Sequence, residues 1–110
     1  MTRRRVVITG LGIISPVGNT VQAAWENLLA GKSGISRVTR FDPSRIASQI
    51  AGEVKGFEIT EYISAKEDRR MDTFIHYGMA AGMHVGTVSG ILIPAGAAEH
   101  TGINFGSVMG

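Results

Sequence analysis

The chain has 110 residues, enough for one small domain and too few for two. Its net charge of +2, from eleven basic and nine acidic residues, is too weak to argue for a nucleic-acid partner. There is no cysteine, which excludes a disulfide, a thiolate metal site and a cysteine nucleophile within these residues and fits a reducing, cytoplasmic setting.

Arg3, Arg4 and Arg5 form a basic cluster before the first apolar run. It reads as a solvated terminus, with an anion site as the alternative. Val6 to Thr9 is β-branched and does not alternate, as expected of a strand buried on both faces in a mixed or parallel sheet. Gly10 and Gly12 break that run before Pro16, so no signal peptide is expected. Gly10 to Gly18 is a predicted loop. Asn19 or Thr20 then caps a helix with Val21, Ala24, Trp25, Leu28 and Leu29 on one face. Gly31 suits the position just past its end, and Lys32 suits the negative helix terminus.

Ser33 to Ser48 reads as loop, with a turn at Phe41-Asp42-Pro43. Ile50 to Val54 is a short candidate strand, weakened by Gly52. Ser64-Ala65-Lys66-Glu67 is a capping box, so a helix is expected from Ala65 to near Asp72. Asp72 then caps a further helix from Thr73 to about Ser89, ended by Gly90. Ile75, Met79, Gly82, Met83 and Gly86 are expected to line one side of it. Three glycines at spacing four, Gly78, Gly82 and Gly86, imply close approach by another backbone. Thr101 to Ser107 reads as a second core strand. No linker, repeat or low-complexity segment stands out.

Thr73 to Ala98 is uncharged and carries the small-residue pattern of packed membrane helices. His76, His84, the glycines and Pro94 argue against a span. The glycine turn at residues 10–12 is also a poor dinucleotide site. Ser15 stands where the fingerprint needs its third glycine, Pro16 follows, and the helix begins only after Asn19. Asp42 is not preceded by a convincing strand.

A more specific pattern runs through the whole chain. RRVVITGLGIISPVGN, the Trp25 helix and LLAGKSGI are followed by Arg40-Phe41-Asp42, Ile50-Ala51-Gly52-Glu53-Val54, KEDRRMDTFIHYG and Ile103-Asn104-Phe105-Gly106-Ser107. In this order they resemble the opening of the elongating β-ketoacyl-acyl-carrier-protein synthases, synthase II being the nearest subtype. The resemblance implies an α/β fold: the N-terminal portion of a thiolase-like layered αβαβα architecture with a mixed sheet. It implies an acyltransferase of fatty-acid elongation, a homodimer in full-length form, which condenses an acyl thioester with malonyl-carrier protein by decarboxylation. That chemistry needs a thiolate, an oxyanion hole and two histidines.

The family's cysteine and histidines fall beyond the position of Gly110, so residues 1–110 are expected to be an incomplete N-terminal segment, inactive alone. No catalytic, cofactor-binding or metal-binding residue is expected among them. His76, His84 and His100 read as ordinary helix or loop histidines. Ser15 and Ser107 sit in glycine turns without an adjacent base.

Two functions carry over with the resemblance. Lys66, Arg69 and Arg70, at i, i+3 and i+4, match a family basic patch that meets the acidic helix of acyl carrier protein. The competing reading is a solvated face whose charges pair locally with Glu67 and Asp68. Met109 matches a hydrophobic family position lining the acyl pocket near the dimer interface; an ordinary core methionine is the competing reading. Val108, Glu99-His100 and the apolar stretch after Val85 depart from the family pattern and leave the fold of that end in question. A non-catalytic binding or assembly module that keeps the docking face and a dimer surface is the second hypothesis. A small dinucleotide-binding domain is the third.

Overall fold

A computed structural model describes residues 2–91 and 93–108. The first regular element is helix α1, Val21–Leu29. Of the two candidate caps, Thr20 takes the role: its hydroxyl accepts from the Ala23 amide. The helix stops in a Schellman arrangement. Gly31 has φ +69, its amide reaches the Leu28 carbonyl, and the Lys32 amide reaches the Asn27 carbonyl.

The chain then enters strand β1, Ile35–Arg37, inside the stretch expected to be loop. It pairs antiparallel with β2, Ile50–Gly52, with Ile35 opposite Gly52 and Arg37 opposite Ile50. Three residues carry too little periodicity to announce a strand; the cross-strand partner defines β1. Pro16 packs on this pair from the glycine loop. A Cβ on Gly34 would lie 2.8 Å from Pro16 Cβ, and one on Gly52 would lie 3.1 Å from its Cγ. Gly52 therefore marks a close approach rather than a broken strand.

A short 3-10 turn at Ile59–Glu61 leads to helix α2, Ala65–Asp68. The capping box is formed as expected: the Ser64 hydroxyl accepts from the Glu67 amide, and the Glu67 carboxylate accepts from the Ser64 amide. The helix is shorter than expected. Beyond Asp68 the backbone continues in i→i+3 turns, from Arg70 to Glu67 and from Met71 to Asp68. Helix α3 then spans Thr73–Ser89 and is closed by Gly90 at φ +65, as the sequence predicts. Asp72 holds the N-cap position without a side-chain cap bond. A 3-10 stretch at Ala95–His100 follows.

The inward side of α3 is not the expected one. Ala80 is fully buried, and Tyr77, Ala81 and His84 are partly covered; of the expected residues Met79 is partly covered, whereas Ile75, Gly82, Met83 and Gly86 are exposed. The cause lies in the N-terminal glycines. A Cβ on Gly10 would fall 2.7 Å from the Val85 carbonyl oxygen, and one on Gly12 would meet the Ala81 carbonyl. Residues 10–12 thus lie directly on the α3 backbone, along its small-residue face. The α3 glycines do less than expected. Gly78 and Gly82 receive the Phe105 ring, a side chain rather than a backbone, and Gly86 faces open space.

Neither expected core strand forms. Val6 to Thr9 and Thr101 to Ser107 have no ladder partner among the described residues, and Val6, Ile8 and Ile103 are 92%, 82% and 82% exposed. A strand needs a neighbour for its amides and carbonyls, and the two-stranded β1–β2 sheet offers none. The accessible surface, 9203 Å², far exceeds the roughly 5,900 Å² expected of a compact monomer of 11.7 kDa. The radius of gyration is 17.5 Å, where about 13 Å is usual for this length. Among the described residues only Ala24, Val38, Ile59 and Ala80 form a buried apolar core. No helix of the described residues is long and apolar enough to cross a membrane.

Candidate functional site

α2 and the turns after it present the basic group. Lys66 lies within the helix, Arg69 is its C-cap residue with αR backbone, and Arg70 follows in the turn. All three are exposed. The i, i+3, i+4 face expected on one continuous helix is therefore a single turn of helix extended by 3-10 turns. The neighbouring acids decide what this group can do. Glu67 is taken up by Ser64, accepting from its hydroxyl at 2.9 Å and its amide at 3.3 Å. Asp68 Oδ1 lies 3.0 Å from His76 Nε2 on α3. Among the described residues no other acidic side chain lies within 4.0 Å of a basic or imidazole nitrogen, so Lys66, Arg69 and Arg70 have no acidic partner there. Local pairing with Glu67 and Asp68, the competing sequence reading, is not what the structure contains.

α2 is held in place from both sides. Ile59 is buried beneath the preceding turn, and the Ile63 amide bonds its carbonyl. Phe57 stacks on Tyr62 at 5.9 Å and meets Tyr77 of α3 edge-on at 5.2 Å. The Tyr62 hydroxyl bonds His84 Nε2 at 2.8 Å. These contacts fix residues 57–63 on α3. Sequence reasoning missed them, because each joins residues whose spacing carries no signal.

Arg40 and Glu53 form a second polar cluster. The Glu53 carboxylate accepts from the Thr39 hydroxyl at 2.8 Å and from the amides of Thr39 and Arg40. Bonding from Thr39, chiefly its hydroxyl, holds the Glu53 carboxyl below its ordinary range. The Arg40 guanidinium is pushed further up by its bond to Tyr77. This cluster ties the chain after β1 to the end of β2 and to α3.

The remaining sequence candidates fall apart in space. The glycine turn supports no phosphate cradle: Gly10 and Gly12 press on α3 carbonyls, and α1 begins only at Val21. His84 bonds the Tyr62 hydroxyl, His76 Nε2 lies 3.0 Å from Asp68 Oδ1, and His100 ends an exposed 3-10 turn. Among the described residues no three His, Asp or Glu side chains gather as a metal centre requires. Met109 lies outside the described residues. A groove of about 500 Å³ runs between Leu11, Val21, Trp25, His84 and Val88.

The chain is thus an α/β protein that displays a basic turn and leaves much of its apolar surface uncovered. It belongs to the β-ketoacyl synthase family, whose N-terminal-domain model matches residues 3–110. The 3-oxoacyl-acyl-carrier-protein synthase 2 of Vibrio cholerae is 46% identical over 110 residues, 100% of this chain and 27% of that protein. The synthase 2 of Vibrio harveyi is 47% identical over the same length, covering 26% of it. That of Synechocystis is 39% identical, again over 100% of this chain and 26% of the relative. The chain therefore spans about a quarter of the curated relatives it matches. A solved structure titled the ishigamide ketosynthase/chain length factor superposes with a TM-score of 0.72 at 33% identity, over 83% of this chain and 23% of that one.

Proposed function

We propose that residues 1–110 are the incomplete N-terminal segment of a 3-oxoacyl-acyl-carrier-protein synthase of fatty-acid elongation, and that its task there is to receive the carrier protein. The segment takes its place in a layered αβαβα fold with a mixed sheet, in a cytoplasmic homodimer. Decarboxylative condensation is carried out by residues outside it. The chain has no cysteine to hold an acyl group, so alone it forms no 3-oxoacyl product. It needs no cofactor for the role assigned here.

One observation carries the docking reading: Lys66, Arg69 and Arg70 are exposed while the acids beside them are engaged elsewhere. Uncompensated surface cations attract an acidic partner, raise encounter rates and lose their advantage as salt screens them. The test is Arg69→Glu with Arg70→Glu in a full-length synthase whose N-terminal part is this chain. The KM for acyl-carrier protein is expected to rise about ten-fold or more at low salt, as like charges replace attraction. An unchanged KM overturns the reading. Met109 is assigned to the acyl pocket. Met109→Phe in the same enzyme is expected to shorten the longest acyl chain accepted, and an unaltered chain-length profile removes that assignment.

A further inference from the structure

We propose that His76 is a positioning residue for the basic face: it retains Asp68 and so keeps that carboxylate from neutralising Lys66, Arg69 and Arg70. The inference rests on the docking reading above and names what makes the face positive.

Within residues 66–70, KEDRR, two adjacent acids lie between one cation and two others. On charge count alone the segment is only +1, from three basic minus two acidic residues. A flexible segment of this composition pairs its own charges and offers little to an acidic partner. The structure removes both acids from that competition. Glu67 closes the capping box. Asp68 follows the cap at the end of α2 and meets an imidazole from another element, α3. His76 suits this task because its side chain is only 12% exposed and belongs to the most extended helix, whereas that of Asp68 is 34% exposed. The retaining group is thus the more buried of the two.

The contact is one of proximity. His76 Nε2 is buried and has no well-directed hydrogen bond, although Asp68 Oδ1 is 3.0 Å away. A buried ring nitrogen with no other partner gains most from a nearby carboxylate. If it lost Asp68, it would remain unsatisfied. If Asp68 lost it, the carboxylate would be free to turn to Arg69, Arg70 or Lys66, all within one turn of the chain. The other charged groups on the packed elements are Asp72, at the α3 N-cap, and Arg40, which bonds Tyr77 beside His76 in sequence. Among the described residues the Asp72 carboxylate lies more than 4.0 Å from the His76 ring nitrogens.

The test is a double-mutant cycle in a full-length synthase bearing this segment, read at low salt. KM and kcat are measured with acyl-carrier protein and with a small protein-free acyl thioester. His76→Gln is expected to raise the KM for carrier protein about two- to five-fold, the scale of one surface charge moved near a docking face, with kcat unchanged. In an Asp68→Asn background the same substitution is expected to do nothing, because no carboxylate is left to release. His76→Lys, which places an ammonium donor opposite Asp68, should hold KM near the parent value. An equal rise in both backgrounds, no rise in either, or a matching loss with the protein-free thioester overturns the proposal. These results differ from failure of the docking reading itself, in which the Arg69→Glu, Arg70→Glu enzyme also keeps its KM.

Discussion

The Arg40 guanidinium donates to the Tyr77 hydroxyl at 2.8 Å, joining residues 37 apart in sequence. The bond connects the chain leaving β1 to the second turn of α3, next to His76 in sequence, at a tyrosine whose ring meets Phe57 edge-on. Tyr77→Phe keeps the ring contact with Phe57 and removes only the hydroxyl. A small fall in thermal stability is expected, with Arg40→Met giving a similar fall and the double variant no more than either. Additive losses in differential scanning calorimetry would show that the two side chains act separately.

Glu53 makes stability depend on acid. Its folded carboxyl titrates below the ordinary value, so its contribution is complete above the unfolded pKa and fades as pH falls through the folded one. Denaturation midpoints followed from about pH 7 to about pH 3, across the carboxylate range, should therefore decline more steeply for the parent than for Glu53→Gln. At neutral pH the variant should be the less stable of the two, since an amide is a poorer acceptor for three donors. Parallel curves would refute the assignment.

Two glycines of opposite character offer a sharper test. Gly12→Ala drives a methyl into the Ala81 carbonyl, a backbone atom that cannot swing aside. The expected loss is about 1–3 kcal/mol, the usual cost of overpacking. Gly86 lies in the α3 interior with nothing within 4 Å of a Cβ, so Gly86→Ala should stabilise the helix by about 0.5–1 kcal/mol. Thermal unfolding of a full-length synthase bearing each change should place the two variants on opposite sides of the parent. If both destabilise, the α3 surface at Gly86 is covered by another part of that enzyme.

The pattern of what was legible follows from where the determining contacts lie. α1, the capping box and α3 were readable because a helix end is specified by residues within one turn: Thr20 for Ala23, Ser64 for Glu67, Gly31 and Gly90 for positive φ. β1 was not, since three residues gain their identity only from Ile50–Gly52 opposite. The inward face of α3 differs from expectation at Ile75 and Met83, to which apolar periodicity points, whereas Met79 is partly covered as expected. The glycine backbone at residues 10–12 instead selects the small residues Ala80 and Ala81 for close approach. Lys66, Arg69 and Arg70 were identifiable as a group. That their acids are engaged elsewhere was not, since Asp68 and His76 sit on different helices.

Val6 to Thr9 and Thr101 to Ser107 have the composition of core strands and the exposure of surface. Unpaired amides and carbonyls on apolar, β-branched segments are templates for pairing with another chain. The groove beside Trp25, itself 59% exposed, adds uncovered apolar area. The 110-residue polypeptide on its own is therefore expected to self-associate and to bind a hydrophobic dye. Co-expression with the remaining part of a synthase 2 such as that of Vibrio harveyi should recover a soluble complex by covering these surfaces. Sedimentation velocity distinguishes the outcomes. A monodisperse monomer that unfolds cooperatively and binds no dye would show that the two segments find partners within the chain, and would contradict their assignment as strands completed from outside it.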